Sequence, residues 1–233
     1  LFDYLLSKEK SYEAVFTFGE ARDTVDRAGK IIATSDLPKY QKVLELLPDF
    51  VGEISQVPPK YSAVNINGQR AYDMARAGKD FQLEAKKVVV NDITVLDKTL
   101  IGDACQDIKV SVTCGSGTYI RSLCSDIARE AGVCGYMSKL TRVTCGGYTL
   151  QDSVTLNDFI KNPLDNVRNV KGLLQQVMPI IQLDDKSYVK LRNGRCIDSN
   201  LEEGTYGVEY NSNVCFIINV KRGKAKSVCY LQD

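Results

Sequence analysis

Residues 114–130, CGSGTYIRSLCSDIARE, join a predicted strand to a predicted helix through a glycine turn. Before the turn, apolar residues alternate from Asp107 to Cys114, which predicts a strand with one buried face. After the turn, Gly132 is placed to end the helix. The apolar residues of the helix form one stripe at helical spacing: Ile120, Leu123, Cys124, Ile127, Ala128 and Ala131. The stretch therefore predicts a strand that leads through a glycine turn into a helix with one buried stripe.

Arg121 lies in the first turn of this helix, one residue off the apolar stripe. The helix dipole disfavours a cation there, so an arginine at this position favours a negatively charged partner, either a carboxylate or a phosphate. A P-loop is excluded because Thr118 and Tyr119 stand where Lys-Ser/Thr is needed, and a dinucleotide fingerprint because Ile120 replaces its third glycine. An arginine on the exposed surface remains the alternative interpretation.

Upstream, the segment from residue 56 to about residue 80 is predicted to form an arm that is polar, basic and aromatic at once. Pro58-Pro59 fixes an extended entry. Asn67-Gly68 is typical of a hairpin turn, and residues 71–77 are predicted to be a short helix that Gly78 ends.

The rest of the first part of the chain mixes strands and helices. Strands are predicted over residues 11–18 and 86–96, and a helix over residues 37–50. A polar loop is predicted over residues 21–29, and residues 137–148 are predicted to be a loop that leads into another strand. Together these elements predict an α+β fold with a mixed or antiparallel sheet flanked by helices.

The composition changes near Asn162-Pro163, where a helix over residues 164–177 is predicted, followed by Pro179 and short strands. We therefore predict two domains, residues 1–178 and a small β-rich domain over residues 179–233.

Composition excludes several kinds of chemistry. The sequence contains no histidine, so triads, histidine bases and histidine-ligated metals are impossible within it. Its eight cysteines include no CxxC pair, which predicts free thiols and no metal site. The net charge is +1, but basic residues concentrate in the arm and near the end of the chain, as in proteins that contact phosphates. No apolar run is long enough to span a membrane.

The order of five segments resembles that of the TruB family of tRNA pseudouridine synthases. The resemblance covers most of residues 1–160, and residues 179–233 resemble the small PUA-type domain that bacterial members append. The segments are KSYEA (10–14), GEARDTVDRAG (19–29), QVPPKYSAVNINGQRAYDMARAG (56–78), CGSGTYIRSLCSDIARE (114–130) and SKLTRVTCGGY (138–148).

The resemblance implies an isomerase that flips a uridine out of the T-arm loop of tRNA, at nucleotide 55, cleaves its glycosidic bond and rejoins the base through C5. Such enzymes need no cofactor or metal. The cost of flipping must be offset by stacking and hydrogen bonds in the pocket. The expected partner is the tRNA T-arm stem-loop, and the protein is expected to be a cytoplasmic monomer.

The resemblance also implies roles for individual residues. Tyr12 would stack on the flipped base and take part in its deprotonation. Asp23 would be a loop aspartate near the target nucleotide, and Arg121 would pair with the catalytic aspartate. RNA contacts are implied for residues of the pocket and of the arm: Tyr119, Leu140, Lys60, Tyr61, Arg70, Tyr72, Arg76 and Arg142.

The family's nucleophilic aspartate stands in a Gly-Thr-Leu-Asp motif, which the sequence does not contain. We therefore expect the nucleophile upstream of Leu1 and assign no aspartate of the sequence to that role. One alternative is a non-catalytic protein that binds or folds tRNA, and a second is an unrelated α+β domain with a β-rich tail and no affinity for RNA.

Overall fold

The computed structural model describes residues 4, 9–167 and 169–231. The chain forms two compact units, Leu1–Asp152 and Ser153–Asp233. This division lies before the boundary predicted after residue 178, because the segment before Pro179 packs on the strands of the second unit. Leu174 in that segment is fully buried, and Lys171 forms an ion pair with Glu209 at 2.7 Å.

The first unit contains a six-stranded antiparallel sheet with the order β10-β9-β1-β8-β7-β4. A separate two-stranded ribbon, β2-β3, follows β1. The strands are β1 (Lys10–Phe18), β2 (Glu20–Arg22), β3 (Ile31–Thr34), β4 (Gly52–Gln56), β7 (Lys86–Ile101), β8 (Ala104–Cys114), β9 (Gly135–Cys145) and β10 (Tyr148–Thr149). The sheet confirms the predicted α+β class.

Helices cover one face of this sheet. They are α1 (Tyr40–Leu46), which continues into a 3₁₀ turn (Leu47–Phe50), and α3 (Ile120–Ala131). The predicted stripe of α3 is buried, and Gly132 ends the helix with φ +79°. The α3 stripe packs with the inner face of the central strands, including the fully buried Phe16 and Ile108.

The close approach of β9 to α3 depends on a glycine. A Cβ on Gly135 would lie 2.6 Å from the Cβ of Ala128 and 3.3 Å from a ring carbon of Phe18. The prediction of a loop at the start of residues 137–148 is wrong, because β9 runs from Gly135 to Cys145 and pairs with β1. The hydrophobic alternation of β9 is weak because bulges shift its register against β1 twice.

The arm leaves the sheet after β4 and returns at β7, where Gln56 pairs with Lys86. It contains the hairpin β5 (Asn65–Ile66) and β6 (Gln69–Arg70), followed by α2 (Ala71–Arg76). Asn67 and Gly68 both have positive φ, as the predicted tight hairpin requires.

The second unit is a five-stranded sheet with the order β11-β13-β14-β15-β12, in which only β11 and β13 are parallel. Its strands are β11 (Ile180–Gln182), β12 (Ile197–Asp198), β13 (Gly204–Tyr210), β14 (Asn213–Lys221) and β15 (Lys224–Tyr230). Its helices are α4 (Leu156–Lys161), α5 (Val170–Gln175) and α6 (Asp185–Arg192), with a 3₁₀ turn at Leu164–Asn166. The single helix predicted over residues 164–177 is therefore wrong. Across the described residues, none of the helices is long and apolar enough to cross a membrane.

Candidate functional site

The site is built around the first turn of α3. Tyr119 is the N-cap residue of this helix, but its side chain makes no capping hydrogen bond. Its backbone N–H donates instead to Oε1 of Gln56 at 2.8 Å, so a side chain from the end of β4 satisfies one of the unpaired donors at the start of the helix. Gly117, with φ +89°, makes the preceding turn possible.

Arg121 makes three hydrogen bonds that join two distant segments. Its Nη1 donates to the carbonyl of Thr24 at 3.0 Å and to Oδ2 of Asp26 at 3.1 Å, and its Nη2 donates to the carbonyl of Tyr61 at 2.8 Å. About a fifth of the Arg121 side chain is exposed, at 21%, against 26% for Asp26. The prediction that Arg121 takes an anionic partner is confirmed, and the surface interpretation is wrong. Its partner among the described residues is Asp26, to which no role was assigned from the sequence.

The loop that carries Asp26 holds its carboxylate in a fixed direction. Oδ1 accepts hydrogen bonds from Thr24 Oγ1 at 2.7 Å and from the Ala28 N–H at 3.0 Å. Val25 has φ +60°, an unfavourable conformation for a β-branched residue. Its carbonyl accepts from the Met137 N–H at 3.1 Å, which ties the loop to β9. Strain of this kind persists only where neighbouring contacts enforce it.

Asp23, the aspartate of this loop that the resemblance selected, has a different environment. It is exposed, and its Oδ1 accepts from the Lys30 N–H at 2.9 Å, which closes the loop on itself. Gly29 makes this closure possible, because a Cβ there would lie 2.4 Å from the same carboxylate oxygen. No hydrogen bond or ion pair of the described residues joins Asp23 to Arg121.

Tyr12 lies on β1 between Val112 of β8 and Arg142 of β9. Burial raises the pKa of its phenol above the ordinary value of 10.0, the nearby Cys114 thiol raises it further, and a hydrogen bond from Arg142 opposes the shift. The phenol is therefore protonated at neutral pH. The structure thus brings together Tyr12 and Arg142, two of the predicted site residues.

Leu140 is exposed on β9 and lines a cavity together with Asp26, Ala28 and Met137. A predicted pocket residue and the carboxylate that holds Arg121 therefore share one concave surface. Among the described residues, no cluster of three Cys, Asp or Glu side chains could hold a metal ion.

The predicted RNA-binding residues of the arm form a basic and aromatic surface. Tyr61 and Tyr72 meet edge to face with ring centroids 6.1 Å apart, and the Arg76 guanidinium lies 5.7 Å from the Tyr72 ring. Lys60 is exposed and forms an ion pair with Asp80 at 3.5 Å. Arg70 is exposed at the N-cap of α2.

Sequence reasoning missed two residues of the site, Asp26 and Gln56. Asp26 is three residues from Asp23 in the same loop. The predicted need of Arg121 for a carboxylate partner was the signal that could have drawn attention to it. For Gln56 the sequence offered no comparable signal, because its partner is the backbone N–H of Tyr119, 63 residues away in the chain.

Comparisons with known proteins identify relatives over most of the chain. Residues 1–120 match the family model of the TruB family pseudouridylate synthase N-terminal domain, and residues 121–182 match the tRNA pseudouridylate synthase B C-terminal domain. The chain is 34% identical over 230 residues to tRNA pseudouridine synthase B of Caldanaerobacter subterraneus subsp. tengcongensis, covering 95% of this chain and 76% of the relative. It is 33% identical over 200 residues to the protein of the same name in Caulobacter vibrioides, covering 83% of this chain and 63% of that relative.

Two solved structures share the fold at low sequence identity. A chain of a Cbf5-Nop10-Gar1 complex matches with a TM-score of 0.62 and 19% identity, covering 99% of this chain and 68% of that one. A chain of an H/ACA RNP bound to a substrate RNA containing 2'-deoxyuridine matches with a TM-score of 0.61 and 17% identity, covering 98% and 67%.

Proposed function

Since the chain belongs to the TruB family of pseudouridylate synthases, as its sequence predicted, we propose that the intact protein isomerises uridine to pseudouridine in the T-arm loop of tRNA. It acts in the cytoplasm as a monomer. The relatives' names support tRNA as the substrate. The observation that carries the assignment is the Arg121 guanidinium, held at 3.1 Å from Asp26 and hydrogen-bonded to the base of a basic, aromatic arm.

Arg121 supplies a cation of fixed direction beside the flipped base. Because Asp26 and two carbonyls hold the guanidinium, it needs little reorganisation when a further anion arrives, and preorganisation of this kind is the largest electrostatic contribution to catalysis in many enzymes. The resemblance implies that Arg121 orients a nucleophilic aspartate in a Gly-Thr-Leu-Asp motif, which this sequence does not contain. A reading frame without that motif would move the assignment to a non-catalytic tRNA-binding protein.

Tyr12 acts through its ring, and the resemblance also gives its phenol a part in deprotonating the base. The ring stacks on the everted uracil, which offsets part of the cost of unstacking. Asp23 lies near the target nucleotide at the mouth of the loop, and Tyr119 and Leu140 line the pocket. The aromatic and basic residues of the arm contact bases and phosphates of the T-arm, as does Arg142.

The test compares two arginines of the same helix in the full-length protein. Arg121→Ala is expected to lower turnover of a T-arm stem-loop RNA at least about hundredfold, with less than about tenfold loss of RNA affinity. The control, Arg129→Ala, removes an exposed arginine from the last turn of α3, where it contacts Asp126. Equal turnover in the two variants would contradict the role of Arg121. RNA binding without any conversion by the wild-type protein would favour the non-catalytic alternative.

A further inference from the structure

Gln56 lies at the base of the arm. It is the last residue of β4 and pairs with Lys86, the first residue of β7, so the segment between them leaves and rejoins the sheet at this one pair. Any displacement of the arm therefore acts directly on Gln56 and Lys86.

The amide of Gln56 is buried and only half used. The residue is 1% exposed, its Oε1 accepts from the Tyr119 N–H, and its Nε2 has no hydrogen-bond partner among the described residues. A buried donor without a partner is costly. An apolar side chain of similar size would fill the same space without that cost. The position therefore requires the hydrogen-bond acceptor, Oε1.

Residues 57–61, which follow Gln56 at the base of the arm, make two further contacts with the first turn of α3. Ser122 Oγ donates to the Val57 carbonyl at 2.7 Å, and Arg121 Nη2 donates to the Tyr61 carbonyl at 2.8 Å. Hydrogen bonds therefore attach the base of the arm to the start of the helix, and Arg121 bridges that base and Asp26.

We propose that Gln56 is a positioning residue: by holding the Tyr119 N–H, it fixes the start of α3 against the base of the arm and so sets the direction in which Arg121 meets Asp26. A displacement of the arm on RNA binding is then transmitted to Arg121 through this junction. The proposal rests on the proposed function for its kinetic consequence, but its geometric consequence is independent of turnover.

The kinetic test uses three variants of the full-length protein. Gln56→Met removes the acceptor and is expected to lower kcat about ten- to hundredfold while changing affinity for T-arm RNA less than about threefold. Gln56→Glu keeps an acceptor for the Tyr119 N–H and is expected to restore kcat to within about threefold of wild type. Lys42→Met is the matched control, because Lys42 Nζ donates to the Ala131 carbonyl at 2.7 Å at the opposite end of α3. It is expected to lower Tm as Gln56→Met does and to leave kcat unchanged.

Two results would overturn the proposal: an equal loss of kcat in Gln56→Met and Lys42→Met, or a kcat for Gln56→Glu as low as that for Gln56→Met. If Gln56→Met does not fold, Ser122→Ala removes a bond of the same junction and must show the same loss of kcat at constant RNA affinity.

Hydrogen exchange of the backbone amides separates this proposal from the proposed function. In Gln56→Met, exchange is expected to rise in the loop of residues 22–30, which Gln56 does not bond, because Arg121 no longer holds Asp26. In Lys42→Met, exchange in that loop is expected to match wild type. An unchanged loop in Gln56→Met refutes the positioning role even if the wild-type protein converts no uridine. Absence of conversion with a perturbed loop refutes only the proposed function.

Discussion

The pairing of Arg121 with Asp26 can be measured as a coupling free energy between Asp26→Asn and Arg121→Met. Asparagine keeps an oxygen for Thr24 Oγ1 and the Ala28 N–H, which donate to Oδ1. It places an amide NH₂ where Oδ2 accepts from Arg121 Nη1 at 3.1 Å. The loop thus retains its internal hydrogen bonds, and the change is confined to the ion pair.

The size of the coupling follows from distance and exposure. Two unit charges at this separation attract by about 5 kcal/mol at an effective dielectric constant of about 20. Both side chains retain roughly a quarter of their exposure, so desolvation and solvent screening offset much of that attraction. Hydrogen bonds to charged groups contribute about 1.5–3 kcal/mol net. We therefore expect a coupling of about 2 kcal/mol, which corresponds to a Tm difference of about 4–8 °C in a domain of this size.

Urea unfolding of the single and double variants measures this coupling, and the contacts of Arg121 with the Thr24 and Tyr61 carbonyls cancel within the cycle. The control cycle pairs Asp23→Asn with Arg121→Met. Asp23 bonds the Lys30 N–H instead of Arg121, so its coupling is expected to be below about 0.5 kcal/mol. Equal couplings in the two cycles, or a larger one for Asp23, would refute the assignment of Asp26 as the partner.

Two further predictions concern packing and pH. Gly135→Ala is expected to cost about 1–3 kcal/mol, because its Cβ would lie 2.6 Å from Ala128, whereas Gly172→Ala, in the interior of α5 with open space around it, is expected to gain about 0.5–1 kcal/mol. Thermal unfolding of both variants measures the contrast, and a tolerated Gly135→Ala would contradict the packing. Burial and, to a smaller extent, the Asp107 carboxylate together raise the pKa of the Cys105 thiol from 9.0 to about 11. The unfolded thiol then ionises first, so the free energy of unfolding is expected to fall as pH rises from 9.0 to about 11. Urea unfolding is expected to show a smaller fall in Cys105→Ala, and an identical fall would exclude this cause.

What could be predicted from the sequence was local. The stripe of α3 and its end at Gly132 follow from periodicity and glycine chemistry, and the anionic partner of Arg121 follows from the helix dipole. Which aspartate it is could not be predicted, because the direction of the Asp26 carboxylate depends on Val25 at φ +60°, a conformation that valine disfavours. Gln56 was missed because its partner, Tyr119, is distant in the chain and the interaction uses a backbone N–H, which carries no sequence signature.

The chemistry of the Arg121 contacts determines which substitutions the site can tolerate. The contacts with Thr24 and Tyr61 are to backbone carbonyls, so changing either side chain leaves the acceptor in place. The contact with Asp26 is to a side chain, and it is the one of these three that a single substitution removes directly. Apart from Thr24, whose Oγ1 also donates to Asp26 Oδ1, the other residues of the loop and of the base of the arm can vary without moving the guanidinium if the backbone conformation is kept. Because Gln56 fixes the backbone at the base of the arm, we expect substitutions of Asp26 and Gln56 to displace the Arg121 guanidinium most.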